Sequence, residues 1–151
     1  KPEGDKKQPR KAYDQLSLAA GVSSISGAIF EAEGDLTHPL LYGFRRNKLA
    51  VFRRGAFFME PAQNVFATPL VHPASPLLSG YVNEQNLQRI KNSAVVVVSG
   101  QGSGRVICFA DNPNFRGFWY GTNRLFANAI FFGHTINNGS TEKAPKPEVK
   151  K

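Results

Sequence analysis

The sequence predicts an α+β domain with a strand-rich mixed sheet and two or three helices, and three observations carry that expectation. Residues 94–98 form a continuous β-branched run, AVVVV, of the kind that fills a strand buried on both faces. A turn cluster, SGQGSG, links it to a second apolar run at residues 105–110, which reads as an antiparallel hairpin. After Thr122, the residues Leu125, Phe126, Ala129, Ile130 and Phe132 share one broad helical face. Strands and helices do not alternate regularly elsewhere, so a doubly wound fold is disfavoured.

The remaining elements follow from local signals. Residues 13–20 suit a short helix or a turn. Residues 24–32 alternate as a strand that would bury Ile25, Ala28 and Phe30. Residues 40–44, 49–52, 56–59 and 65–70 are further strand candidates. Asn83 can cap a short helix that places Leu87 and Ile90 on one face. For the last helix, Thr122 is the expected N-cap and Gly133 the residue just past its C-terminus. The two hairpin strands are expected at the centre of the core, with Phe126 and Ile130 packed over them.

Length allows one domain, which is expected over residues 12–136, flanked by a basic tail at 1–11 and a Lys/Pro-rich tail at 137–151. The net charge of +8 would suit a polyanion partner if it were spread over the fold. Nine of the nineteen basic residues sit in the first eleven and last nine positions, however, and the body between is only mildly basic. No apolar run approaches a membrane span. No starting Met precedes Lys1 and no apolar run follows the charged first residues, which reads as a mature piece or an excised domain. The single Cys108 excludes an internal disulfide.

The residue pattern bears on several chemistries. His38, His72 and His134 stand 34 and 62 positions apart and form no HxxE, HExxH or Cys/His cluster, so no metal site is expected in this chain. Cys108 lies between Ile107 and Phe109 and is expected to be a buried core thiol, not a nucleophile. The GQGSG segment lacks the Lys-Ser/Thr pair of a phosphate loop and precedes a strand. Arg45, Arg46, Arg53 and Arg54 flank a candidate strand and are expected either as solvated strand ends or as a patch for an anionic ligand. No nucleic-acid motif supports them.

The loop after the second hairpin strand is the richest candidate. It holds Asp111, Asn112, Asn114, Arg116 and Trp119 between two well-signalled elements. Arg116 is expected to pair with Asp111 or to cap carbonyls. The alternative is a ligand-binding or domain-docking site formed by these same residues. Gly117 and Gly121 bracket Trp119, which predicts an anchored indole.

Residues 104–133, GRVICFADNPNFRGFWYGTNRLFANAIFFG, closely resemble the C-terminal end of large bacterial zinc carboxypeptidases related to carboxypeptidase A. The segments GAIFEAEGDLTHPLLYGF at 27–44 and PLLSGYVNEQNLQRI at 76–90 fit the same resemblance. In that family, a region similar to class I glutamine amidotransferases follows the peptidase domain. The resemblance implies the C-terminal part of an amidotransferase-like fold in a secreted or periplasmic bacterial hydrolase. The zinc of such a parent belongs to its peptidase domain, and neither that ligand pattern nor the amidotransferase nucleophile is present here. The implied role is a noncatalytic accessory domain whose partner is the peptidase domain of the same protein. Two alternatives stand beside it: an anionic-ligand module using the arginine pairs or Arg116, and an enzyme with a site around Asp111, Asn114 and Arg116.

Overall fold

The computed structural model describes residue 10 and residues 12–143. The predicted tails at 1–11 and 137–151 therefore lie largely outside the described residues. Among the described residues the fold is α+β, with seven strands in one largely antiparallel sheet and three α-helices. Helix α1 (Leu16–Ser23) precedes the long strand β1 (Ile25–Gly34). Next come β2 (Lys48–Gly55), β3 (Leu70–Val71) and β4 (Leu77–Ser79), then helix α2 (Glu84–Ile90). The hairpin β5 (Ala94–Gln101) and β6 (Gly104–Phe109), helix α3 (Tyr120–Phe132) and β7 (Glu142–Lys143) complete the order. The main path through the sheet is β2-β1-β3-β5-β6; β4 adds to β1, and β7 lies parallel to β5.

Alternation explains the strands. Ala28, Phe30 and Ala32 of β1 are buried on one face, as is Val51 of β2 beside them. In β5, Ala94, Val95, Val96 and Val98 are all buried, as a β-branched run covered on both faces requires. The Asn83 side chain caps α2 by accepting from the Gln85 amide at 2.9 Å, and Ile90 is fully buried. Leu40, Leu41, Leu125 and Ile136 join these residues in a single core.

Several expectations are corrected. Residues 40–44 are not a strand: His38 Nδ1 accepts from the Leu40 amide and Pro39 opens the first turn, so Pro39–Leu41 winds as a 3-10 helix. Residues 56–59 contribute only an isolated bridge from Met59 to Ala94, and the 65–70 segment divides into a 3-10 turn (Val65–Ala67) and the two-residue β3. Strand β6 ends the sheet path instead of lying at its centre, so its side chains alternate between half-buried Ile107 and Phe109 and exposed Val106 and Cys108. Cys108 is thus an exposed thiol, not a core one.

Helix α3 differs too. It begins at Tyr120, and Thr122 is a buried residue of its first turn whose hydroxyl donates to the Pro113 carbonyl at 2.8 Å. Gly133 keeps right-handed helical dihedrals and passes the chain into a 3-10 turn. A Cβ on Gly133 would meet Ile107 Cδ1 at 3.2 Å, so close packing against β6 explains the missing side chain. Leu125 faces the core, but Phe126 and Ile130 are 43% and 62% exposed. The helix rests chiefly on β2 and the 40–44 segment, and that tilt turns the 126/130 positions outward. The fold also continues past residue 136. Asn64 Nδ2 donates to the Gly139 and Thr141 carbonyls, and Ser99 Oγ donates to the Glu142 carbonyl, so residues 137–143 are fastened to the sheet.

Candidate functional site

The polar residues of the 111–119 loop do not converge on one site: Asp111 turns inward, whereas Asn112, Asn114 and Arg116 are exposed. The chain leaves β6 at Phe109 with the Ala110 amide still bonded to the Val95 carbonyl, which points the next side chain inward. Asp111 has a side chain only 5% exposed, and it meets Arg53, whose side chain is 2% exposed. Arg53 Nη1 donates to Asp111 Oδ2 at 3.2 Å. Leu49, Val51 and Arg53 alternate along β2, so the arginine occupies a core-facing position of the strand. Its other guanidinium nitrogen donates to the Phe57 carbonyl, and its centre lies 4.8 Å from the Phe58 ring centroid. Arg89 approaches the same ring at 3.9 Å.

His72 completes the cluster. Its Nδ1 is 2.8 Å from the Glu31 carbonyl, an arrangement in which Nδ1–H donates, and Nε2 stands 3.9 Å from Asp111 Oδ2. Burial pushes the His72 imidazole down to about 4, opposed by the Glu31 hydrogen bond and reinforced by the Arg53 charge. Burial pushes the Asp111 carboxyl up to about 6, against the downward pull of Arg53. At neutral pH the cluster is therefore an ion pair beside a neutral histidine. Among the described residues, neither Asp111 Oδ1 nor His72 Nε2 has a hydrogen-bond partner.

Of the three residues, Asp111 lines a small cavity. The cavity lined by Val51, Val95, Phe109, Asp111, Thr122 and Leu125 measures about 10 Å³, room for one water. Arg53, Asp111 and His72 form a buried joint between β2, the 111–119 loop and the segment after β3.

The rest of the loop serves the same joint. Asn112 Oδ1 accepts from the Asn114 amide at 2.9 Å, making a local turn. Phe115 stacks on Phe52 with ring centroids 3.8 Å apart, and Trp119 Nε1–H donates to the Ala50 carbonyl at 3.0 Å. The indole is half-buried and anchored to β2, as expected, but only Gly117 turns the chain beside it, because Gly121 is a helical residue of α3. Arg116 is exposed and sits in the left-handed region at φ 51, followed by Gly117 at φ 68. Its guanidinium lies 5.3 Å from the Phe115 ring centroid and is not paired with Asp111. The expected Arg116–Asp111 pair is replaced by Arg53–Asp111, because Asp111 points into the core while Arg116 lies on the outer side of the turn.

The arginine patch is divided in the same way. Arg53 is inside, whereas Arg45, Arg46 and Arg54 are exposed. His38 Nδ1 is committed to the Leu40 amide and His134 is exposed. Among the described residues there is no group of three or more His, Cys, Asp or Glu side chains placed to hold a metal ion. Sequence reasoning missed Arg53 and His72 as members of one cluster. The period-two alternation Leu49–Val51–Arg53 was the available signal for the first.

The outer surface of α3 presents a different feature. Tyr120, Phe126, Ile130 and Phe131 are exposed there, next to exposed Phe118 and Tyr42. A shallow groove of about 480 Å³ runs along it, lined by Asn114, Asn123, Arg124, Phe126, Ile130 and Phe131.

No family model, curated protein or solved structure matches the chain.

Proposed function

We propose that this chain is a noncatalytic accessory domain of a zinc carboxypeptidase-like protein, and that it docks on the peptidase domain through the outer face of α3. The parent would be an exported bacterial hydrolase acting on peptides. The class of the parent and its location rest on the sequence resemblance. The docking role rests on one observation: four large apolar side chains, Tyr120, Phe126, Ile130 and Phe131, are exposed on a single helix face. Exposed apolar side chains gathered on one face, as Phe126, Ile130 and Phe131 are along the groove, mark an interaction site more often than chance exposure. The buried Arg53–Asp111–His72 cluster agrees with a scaffold role, because the Arg53–Asp111 contact ties the loop that leads into that helix to β2.

Calorimetry of the full-length protein tests the reading. Ile130→Asp and Phe131→Asp should lower the unfolding temperature of the assembled protein while leaving the isolated chain as stable as before. An unchanged full-length transition would place the interface elsewhere. Cleavage of a C-terminal residue by the isolated chain, abolished by a chelator, would reject the noncatalytic role outright.

The anionic-ligand alternative loses Arg53, which is internal, but keeps Arg45, Arg46, Arg54 and Arg116. A steep fall of binding with salt would identify it.

A further inference from the structure

We infer that the partner surface received by the outer face of α3 is a protein ridge of apolar side chains rimmed by Asp and Glu carboxylates. This inference rests on the docking reading and adds the chemistry of the partner.

The charge pattern carries it. Residues 36–59 contain no Asp or Glu, and neither do residues 112–141. The fold brings these two acid-free segments together at one face. Asn128 Nδ2 donates to the Leu40 carbonyl at 2.8 Å and to the Tyr42 carbonyl at 2.9 Å. The Tyr42 ring meets Phe132 edge-on at 5.1 Å. Arg124 donates to the Gly43 carbonyl and lies 5.8 Å from the Phe44 ring centroid. Arg45 and Arg46 follow directly on Phe44, and Arg116 lies two residues beyond Asn114 of the groove. Of the exposed arginines, Arg124 lines the groove beside Phe126, Ile130 and Phe131, while Arg45 and Arg46 continue the 40–44 segment that packs on α3 and Arg116 follows Asn114 of the groove. None of these four arginines forms a salt bridge among the described residues, where the ion pairs are those of Lys48 with Glu31 and Glu33 and the Asp111 cluster.

An arginine beside an apolar contact loses part of its hydration when a partner lands. Opposing carboxylates compensate that loss and fix the docking register, as complementary potentials do at protein interfaces. A second copy of this chain fails that requirement, since it would bring the same four arginines against themselves. A bilayer could supply anionic headgroups; the docking reading favours a protein partner, and vesicle sedimentation separates the two.

The test uses the chain with two synthetic helical peptides. Both carry Leu at positions i, i+3, i+4 and i+7; one is flanked by Glu and the other by Lys. Binding is read by fluorescence anisotropy. The Glu peptide should bind at least ~10-fold more tightly at low ionic strength, and the preference should shrink as salt is added. Ile130→Asp should abolish the binding. Arg45→Ser with Arg46→Ser and Arg116→Asn should remove the preference while leaving residual apolar binding, with Asn chosen because it tolerates the left-handed backbone at 116. Circular dichroism checks that each variant stays folded.

Equal binding of the two peptides, both lost in Ile130→Asp, would overturn the carboxylate rim and leave the docking face standing. No binding of either peptide, or binding indifferent to Ile130→Asp, would overturn the docking face itself. Sedimentation of the chain with phosphatidylcholine–phosphatidylglycerol vesicles, sensitive to Ile130→Asp and without peptide binding, would assign the face to a membrane and overturn the inference. A dimer in sedimentation equilibrium that dissociates in Ile130→Asp would do the same in favour of self-association.

Discussion

Arg53 and Asp111 are 58 positions apart in the chain, yet their side chains meet at 3.2 Å and are almost wholly buried. The contact ties the second strand of the sheet to the loop that leads into the last helix. A buried pair of this kind adds little over an apolar pair of equal volume, but breaking it strands a charge.

Asp111→Ala should therefore destabilise the chain by roughly 3–5 kcal/mol, because the Arg53 guanidinium would keep its burial and lose its counter-charge. Adding Arg53→Met should recover much of that loss, since methionine can fill the strand position without a charge. Urea unfolding of the two variants checks this. Equal stability for the single and double variants would show that the pair does not carry the joint.

Stability against pH should reveal His72. The imidazole titrates at about 4 in the fold and at 6.5 ordinarily, so between those values the unfolded chain binds the extra proton and stability rises with pH. Asp111 works in the opposite sense. Its folded value of about 6 lies above 3.8, so the fold holds the extra proton and stability falls as pH rises through that window. The two slopes oppose each other in the wild type between pH ~4 and ~6. His72→Asn keeps a donor for the Glu31 carbonyl and removes the rising contribution. The stability gap between wild type and His72→Asn should therefore widen by up to ~3 kcal/mol from pH 4 to 6.5. A gap that stays constant across that range would show that His72 does not titrate in the fold as its burial demands.

Helix α3 offers a direct comparison of faces. Leu125 is 2% exposed, and Leu125→Ala should cost about 2–5 kcal/mol through the cavity it leaves. Ile130→Ala on the outer face should cost less than ~1 kcal/mol in the isolated chain. Thermal melts of both variants decide this, and a large loss in Ile130→Ala would mean that the helix is rotated relative to the face described.

Trp119 should behave as an anchor through its nitrogen as well as its ring. Trp119→Phe keeps an aromatic side chain against Phe52 but leaves the Ala50 carbonyl without its donor, an expected loss of about 1 kcal/mol. Trp119→Ala should lose more. Equal denaturation midpoints for wild type and Trp119→Phe would show that the hydrogen bond adds nothing.

Local pattern was enough to read much of the fold from the chain alone. The β-branched run at 94–98, the glycine-rich turn after it, the pattern that buries Ile25, Ala28 and Phe30, and the Asn83 cap all depend on neighbours within a few residues. Such signals survive in a one-dimensional string because strand alternation and capping are local geometry. The candidate loop was legible as a place, and its anchored tryptophan as a feature, for the same reason.

Tertiary structure alone decided what those residues do. Whether Asp111 pairs with Arg116, five residues away, or with Arg53, 58 residues away, depends on which way the loop's first residue points as it leaves β6. That direction is set by the strands beside it. Whether Phe126 and Ile130 are core or surface depends on the roll of α3 against β2 and the 40–44 segment, and a helical stripe specifies a face without saying what it meets. The acid-free surface arose likewise from two segments that are each unremarkable until Asn128 and Arg124 bring them together. Contacts between residues distant in sequence are fixed by packing of whole elements, and that information is spread over the entire chain instead of residing in any short stretch of it.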